Sequence, residues 1–147
     1  MQLLTASQEH LPLLVPLFDR YRVFYKQNSD PHGCRRFLKA RMEKGESVIQ
    51  LAIIGGKGAG FTQLYHTFSS VSMEKSLILN DLYVAPSYRN RGIGEALLRK
   101  AQDYCVAYNY KGLALETGVD NPAQKLYERL GWKQDSHCFH YFWKAGK

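Results

Sequence analysis

Arg89-Asn90-Arg91-Gly92-Ile93-Gly94 is the segment of this chain best suited to chemistry. It follows an apolar run, Leu77–Val84, and precedes a stretch with helical periodicity. A glycine turn that enters a helix leaves main-chain N–H groups that no helical carbonyl can satisfy. Those donors, aligned with the helix dipole, favour a bound anion, and a phosphate group in particular. Gly92 and Gly94 keep the backbone bare where such a ligand approaches. Arg89 and Arg91 add positive field around the same turn, and Asn90 faces water. A dinucleotide-binding fold places its glycine turn after the first strand, with an acid about twenty residues on. Here three antiparallel strands precede the turn, so that fold is excluded.

Other reactive residues are scattered. Cys34, Cys105 and Cys138 are odd in number and far apart, which fits neither a disulfide framework nor a metal site. His137 and His140 lie in HCFHYF, whose alternation puts them on opposite faces of a strand. No metal is expected. The formal charge of +7 comes from 20 basic and 13 acidic residues, spread without a single Lys/Arg block. It favours an anionic ligand but makes no specific nucleic-acid footprint. No run has the apolar length of a membrane helix, and the start lacks the pattern of a signal peptide. A cytoplasmic protein without a membrane partner is the expectation.

The elements that position the turn follow from periodicity. Leu3–Ala6 reads as a first strand. Ser7 caps a helix from Gln8 to Lys26, where Leu11, Leu14, Val15, Phe18, Arg22 and Tyr25 recur at three and four. Pro16 is expected to kink or shorten it. After a turn, a second helix covers Pro31 to Lys44, with Phe37, Leu38 and Met42 inward and Gly45 at its end. Ser47–Ile54, Ala59–Ser69 and Lys75–Ala85 read as an antiparallel meander, its first two strands joined at Gly55-Gly56-Lys57-Gly58. A helix from Gly92 to about Asn109 carries Ile93, Leu97, Ala101 and Cys105 on one stripe. GLALETG is then a parallel strand reached by a right-handed crossover. Asp120 or Asn121 caps a short helix with Pro122 in its first turn and Gly131 at its end. Trp132–Asp135 and His137–Lys144 read as final strands. The order is β-α-α-β-β-β-α-β-α-β-β in one domain of residues 1–147, an α+β (mixed α/β) chain with a mostly antiparallel sheet.

With this order, the chain resembles the GNAT N-acetyltransferases. That family carries a Gln/Arg-x-x-Gly-x-Gly/Ala loop after its fourth strand, met here by Arg89, Gly92 and Gly94. Its later signature reads here as NPAQKLYERLGW, with Asn121, Ala123, Tyr127, Gly131 and Trp132. Within the family, FTQLYHTFSS followed by LILNDLYV looks like the polyamine (diamine) branch, which carries Glu-Asp where this chain has Asn80-Asp81.

The resemblance implies the GNAT fold, with a β-α-β core that binds acetyl-CoA as acetyl donor. It implies direct transfer to a primary amine of a small molecule, without a metal. The amides of Arg89–Gly94 are then expected to hold the CoA diphosphate. The main chain of Leu82 and Val84 holds the pantetheine arm, with Tyr83 on the opposite face. Tyr127 becomes the acid that protonates the leaving thiolate, since a phenol is still protonated near neutral pH. The spacing of Leu126, Tyr127 and Leu130 equally suits a core. Asn121 and Lys125 are further candidate CoA contacts, as a support for pantetheine and a phosphate partner. An alkylammonium must lose a proton before attack, so a base is required. Asp81 is the candidate, on the face shared with Leu79 and Tyr83 by strict alternation. Asn80 holds a water or the substrate, and Glu116 on the fifth strand orders water. Tyr21, Tyr25, Asp30, His32, Tyr65 and His66 are candidates for the acceptor wall. A homodimer through His137–Lys144 is expected. The alternatives are a protein lysine or N-terminal acetyltransferase, and a non-catalytic acyl-CoA-binding module.

Overall fold

Alternation of apolar and polar residues builds most of the sheet, and the computed structural model describes residues 1–146 of it and its surroundings. Strands β1 (Gln2–Thr5), β2 (Ser47–Ile54), β3 (Lys57–Ser69) and β4 (Glu74–Val84) pair in sequence order, all antiparallel. Strand β5 (Leu113–Ala114) joins β4 in parallel through Leu77 and Ile78 alone. The fold is thus the mixed, mostly antiparallel α/β arrangement that the resemblance implies. Met1–Glu116 forms one compact unit and Thr117–Lys147 a second.

In the first unit each sheet face has its own helices. Helices α1 (Leu11–Phe24) and α2 (Pro31–Glu43) cover one face, where Leu11, Leu14, Leu17, Phe18, Cys34 and Leu38 pack with Ile49, Leu51, Phe61 and Tyr83. Helix α3 (Ile93–Ala107) covers the other, with the expected stripe of Ile93, Leu97, Ala101 and Cys105 buried. Each fully buried leucine of this kind contributes about 1.5–3 kcal/mol. Helix α3 lies close on β3, since a Cβ at Gly60 would meet the Tyr83 carbonyl oxygen at 2.8 Å and Leu97 Cδ1 at 3.3 Å.

The first helix differs from its expected form. A 3₁₀ turn at Gln8–His10 precedes α1, and the Ser7 main-chain N–H donates to His10 Nδ1 at 2.9 Å. Pro16 sits inside α1 without ending it. A proline removes the donor for the carbonyl four residues back and crowds that carbonyl with its ring; here that residue is exposed Pro12, where water can serve the oxygen. Tyr25 is 60% exposed, because α1 ends at Phe24 and the chain turns away. In α2 the inward residues are Cys34 and Leu38, whereas Phe37 is 40% exposed.

The second unit contains helix α4 (Gln124–Arg129). Asn121 Oδ1 accepts from the Ala123 amide at 2.9 Å, so Asn121 steadies the turn before α4, and Gly131 follows it at φ +93°. The expected strands Trp132–Asp135 and His137–Lys144 do not form. A strand exists only with a ladder partner, and no pairing reaches these residues. Phe139, Tyr141, Phe142 and Trp143 stand exposed instead. The fifth strand is likewise shorter than GLALETG, which leaves Glu116 outside it.

Candidate active site

Strand β4 connects the two halves of the site in the first unit. Its pairing with β3 runs Leu79↔Leu64 and then Asp81↔Gln63, so Asn80 is skipped in a β-bulge. A bulge sets two residues against one and re-aims the side chains. Asn80 and Asp81, adjacent in sequence, consequently both line one cleft of about 390 Å³. Strict alternation predicts a face shared by Leu79 and Asp81, and the bulge breaks that alternation. Beyond it, Leu82 and Val84 pack with the α3 cluster while Tyr83 belongs to the α1/α2 core, as expected.

The cleft is lined by Phe18, Tyr21, Arg22, Asp30, Gly33, Cys34, Phe37 and Tyr65 besides the β4 pair. Its size suits a small molecule. Asp81 is 5% exposed and firmly held. Its Oδ2 accepts from Gln63 Nε2 at 2.7 Å and its Oδ1 from Asn80 Nδ2 at 3.0 Å. Thr62 Oγ1 donates to the Asp81 carbonyl at 2.8 Å. Burial, and next the Asp81 charge, hold the Tyr21 phenol well above its usual range. The same two causes push Tyr65 up to about 12. Both phenols therefore stay protonated at neutral pH and can donate. The Oε1 atom of Gln63 is buried with no hydrogen-bond partner among the described residues. A buried acceptor left in this way suits a water or a substrate N–H.

Of the acceptor-wall candidates, Tyr21, Asp30 and Tyr65 reach this cleft. Tyr25 and His32 do not line it, and His66 pairs with the Tyr110 hydroxyl at 3.0 Å. Five lining residues lie outside the candidate list: Arg22, Phe18, Gly33, Cys34 and Phe37. An arginine within the apolar stripe of α1 is the sequence signal for the first, because such a charge faces inward. Burial raises the Cys34 thiol, with the Asp19 charge the next cause. Asp19 itself is lowered, first by the Ser29 hydroxyl, which donates to it at 2.7 Å.

The outer edge of β4 supplies the second half. The Ala85 amide donates to the Ala59 carbonyl, toward β3. Main-chain groups alternate sides along a strand, so those of Leu82 and Val84 point to the opposite edge. Pairing with β5 stops at Ile78, which leaves that edge without a strand neighbour. Arg89 Nε donates to the Val84 carbonyl at 2.8 Å, and its guanidinium lies over the Tyr83 ring. Arg89 is thus turned back onto β4, while Arg91 lies over Tyr88.

The turn itself has the geometry of an anion cradle. Asn90 and Gly92 take left-handed conformations, at φ +63° and +77°. The first bond closing α3 runs from the Ala96 amide to the Gly92 carbonyl. The amides of Arg91, Gly92, Ile93 and Gly94 find no acceptor among the described residues. Outside its neighbours and its own helical turn, a Cβ on Gly94 would come no nearer than 3.9 Å to the protein, at Val84 Cγ2. Protein packing therefore does not demand glycine there, whereas a diphosphate seated on these amides does. The residues fit a CoA diphosphate.

Tyr127 lies on α4 of the second unit, half-buried, with its ring 6.1 Å from that of Trp132. Lys125 is exposed on the same helix. Among the described residues, no group of three His, Cys, Asp or Glu could hold a metal ion, and no helix is long and apolar enough to cross a membrane.

Comparison with known proteins agrees with this geometry. Residues 14–132 match the family described as Acetyltransferase (GNAT) family. An uncharacterized N-acetyltransferase of Bacillus subtilis, YhfO, is 46% identical over 142 residues, spanning 96% of this chain and 95% of its own. A probable acetyltransferase of Haemophilus influenzae is 31% identical over 141 residues, spanning 87% and 97%. A crystal structure of a probable acetyltransferase superposes with a TM-score of 0.93 at 39% identity, covering 100% of this chain and 99% of that one.

Proposed function

Since the chain belongs to the GNAT family of acetyl-CoA-dependent N-acetyltransferases, we propose that it acetylates a primary amine of a small molecule bound in the cleft over Asn80 and Asp81. One observation carries this reading. The amine-suited cleft and the edge leading to the anion cradle are built on the same strand. Asp81 and Val84 are about 10 Å apart along it.

Acetyl-CoA supplies an acetyl group already activated as a thioester. The amides of Arg91, Gly92, Ile93 and Gly94 hold its diphosphate, with Arg89 and Asn90 shaping the turn. The outward main-chain groups of Leu82 and the Val84 amide bond the pantetheine arm, and an amide N–H on that edge stabilises the developing oxyanion. Tyr83, ring inward, supports the strand. Asp81 accepts the proton that the substrate ammonium must lose, and Asn80 orients the amine or a bridging water. The amine nitrogen then bonds to the carbonyl carbon as the carbon–sulfur bond breaks. Tyr127 gives its phenolic proton to the departing sulfur, and the second proton lost from nitrogen as the amide forms passes through water to the Tyr127 phenolate. Asn121 fixes the approach to α4, and Lys125 meets a phosphate.

We further take residues 1–147 as one working domain, active in the cytoplasm as a homodimer. The exposed Phe139, Tyr141, Phe142 and Trp143 favour that assembly, because aromatic clusters of this kind mark association surfaces. The likeness of β3 and β4 to the diamine branch leaves a diamine as one acceptor to assay.

The test is release of free thiol from acetyl-CoA across a panel of small amines, beside calorimetry with CoA. We expect CoA binding and amine-dependent release. Tyr127→Phe should lower turnover by about a hundredfold while CoA affinity holds. An absence of heat with CoA overturns the whole reading. Undiminished turnover in Tyr127→Phe overturns the acid assignment.

A further inference from the structure

We propose that the acceptor is an amine that also carries a carboxylate, its ammonium set on Asp81 and Asn80 and its carboxylate on Arg22. This rests on the acyl-transfer reading above and specifies the class of acceptor.

The cleft holds one guanidinium, from Arg22, and two carboxylates, from Asp30 and Asp81. The two acids are engaged differently. Asp30 Oδ1 accepts from the Gly33 amide at 3.0 Å, which makes it the N-cap of α2. Asp81 is held by the side-chain amides of Gln63 and Asn80. A carboxylate has about four acceptor positions, so room stays open for an ammonium N–H.

Arg22 has no such partner. Its Nη1 donates to the Asn28 carbonyl at 3.2 Å, and no carboxylate lies within ion-pair distance among the described residues. Asp19 feels the Arg22 charge but lies beyond ion-pair distance, and its oxygens already accept from the Ser29 hydroxyl, the Asp30 amide and the Cys34 thiol. By contrast, Arg41 pairs with Glu46 and Arg99 with Glu95. Arg22 is half-buried, with donors left over in a cleft. A guanidinium in that state is a fork for a carboxylate.

Two opposite charges in one small cleft select a zwitterion. A diamine would place its second ammonium against Arg22, and like charges in a partly dry site repel strongly. A plain alkylamine would cover Arg22 without pairing it, which leaves a desolvated charge. The rings of Phe18 and Phe37, stacked with centroids 5.9 Å apart, and those of Tyr21 and Tyr65 line the space for the carbon skeleton.

The experiment compares matched sets: 4-aminobutyrate, butylamine and 1,4-diaminobutane, the same series with longer and shorter chains, and phenylalanine against phenethylamine. Thiol release gives kcat/KM for each with the wild type, Arg22→Gln and Arg22→Lys, and calorimetry gives CoA affinity. In at least one set the carboxylate-bearing amine is expected to lead by about tenfold or more, chiefly through KM. Arg22→Gln should erase that lead and Arg22→Lys keep part of it, with CoA affinity unchanged. The ratio of acid to plain amine within one variant does not respond to a merely structural loss. A lead for the monoamine or diamine in every set overturns the assignment, as does a lead that survives Arg22→Gln. Thiol release from no amine while CoA still binds also overturns it and leaves the CoA site standing. Loss of CoA binding in the wild type overturns the acyl-transfer reading beneath.

Discussion

Asp81 has a demanding position, since it is buried, doubly held by amides, and still has to meet a cation. The amides of Gln63 and Asn80 fix the carboxylate, so no side-chain reorganisation accompanies arrival of the amine. Replacing it by Asn keeps the shape and removes the charge. Asp81→Asn is expected to lower kcat/KM by about a hundredfold near neutral pH. The deficit should shrink as pH rises, because free amine then forms in solution without a base. A pH–rate profile matching the wild type in height and shape would remove Asp81 from proton transfer. Gln63 and Arg22 show how residues of this kind are read from sequence. Arg22 stands in an apolar stripe, and its charge betrays an inward cleft. Gln63 sits in a strand whose neighbours alternate in polarity, and nothing in that pattern separates a positioning amide from a solvent-facing one.

Elements were legible where one segment carries its own signal. Ser47–Ile54 matches its strand because its β-branched run is bounded by turns, and α3 matches because its stripe recurs at three and four. What was not legible depends on a partner. The bulge at Asn80 is a choice of register between β3 and β4, invisible in either strand alone. The last two strands needed a ladder that no other element offers. Pro16 survives in α1, where the residue whose carbonyl it strands, Pro12, is exposed. Helix α3 supports a prediction of its own. Outside its own helical turn, alanine at Gly94 meets nothing nearer than Val84 Cγ2 at 3.9 Å, and alanine is the better helix former by up to about 1 kcal/mol. Gly94→Ala should thus hold or raise the thermal midpoint while weakening CoA binding by about tenfold or more, as the new methyl crowds the cradle. Equal CoA affinity in calorimetry would show that the first turn of α3 does not carry the diphosphate.

At the scale of the whole molecule, a chain with a formal charge of +7 holds a cleft with two carboxylates against one guanidinium. The overall field suits a polyanionic donor and the local one suits an ammonium. The same cleft makes stability depend on pH. Tyr65 is raised from 10.0 to about 12, and Tyr21 is raised as well. Both phenols ionise less readily folded than unfolded, so their contribution is fully present below pH 10 and is lost as pH climbs through the folded values. The thermal midpoint should fall between pH 10 and 12, and less steeply in Tyr21→Phe/Tyr65→Phe. Parallel slopes in the two proteins would contradict the shifts. The skipped residue at Asn80 has one more consequence, for descent. Two adjacent codons set part of what the hollow presents to an incoming guest, and neither belongs to the apolar clusters that knit helices to sheet. Since Asp81 carries the proton transfer, exchange at the Asn80 codon alone can redirect the enzyme's appetite while the chemistry and the frame around it are inherited intact.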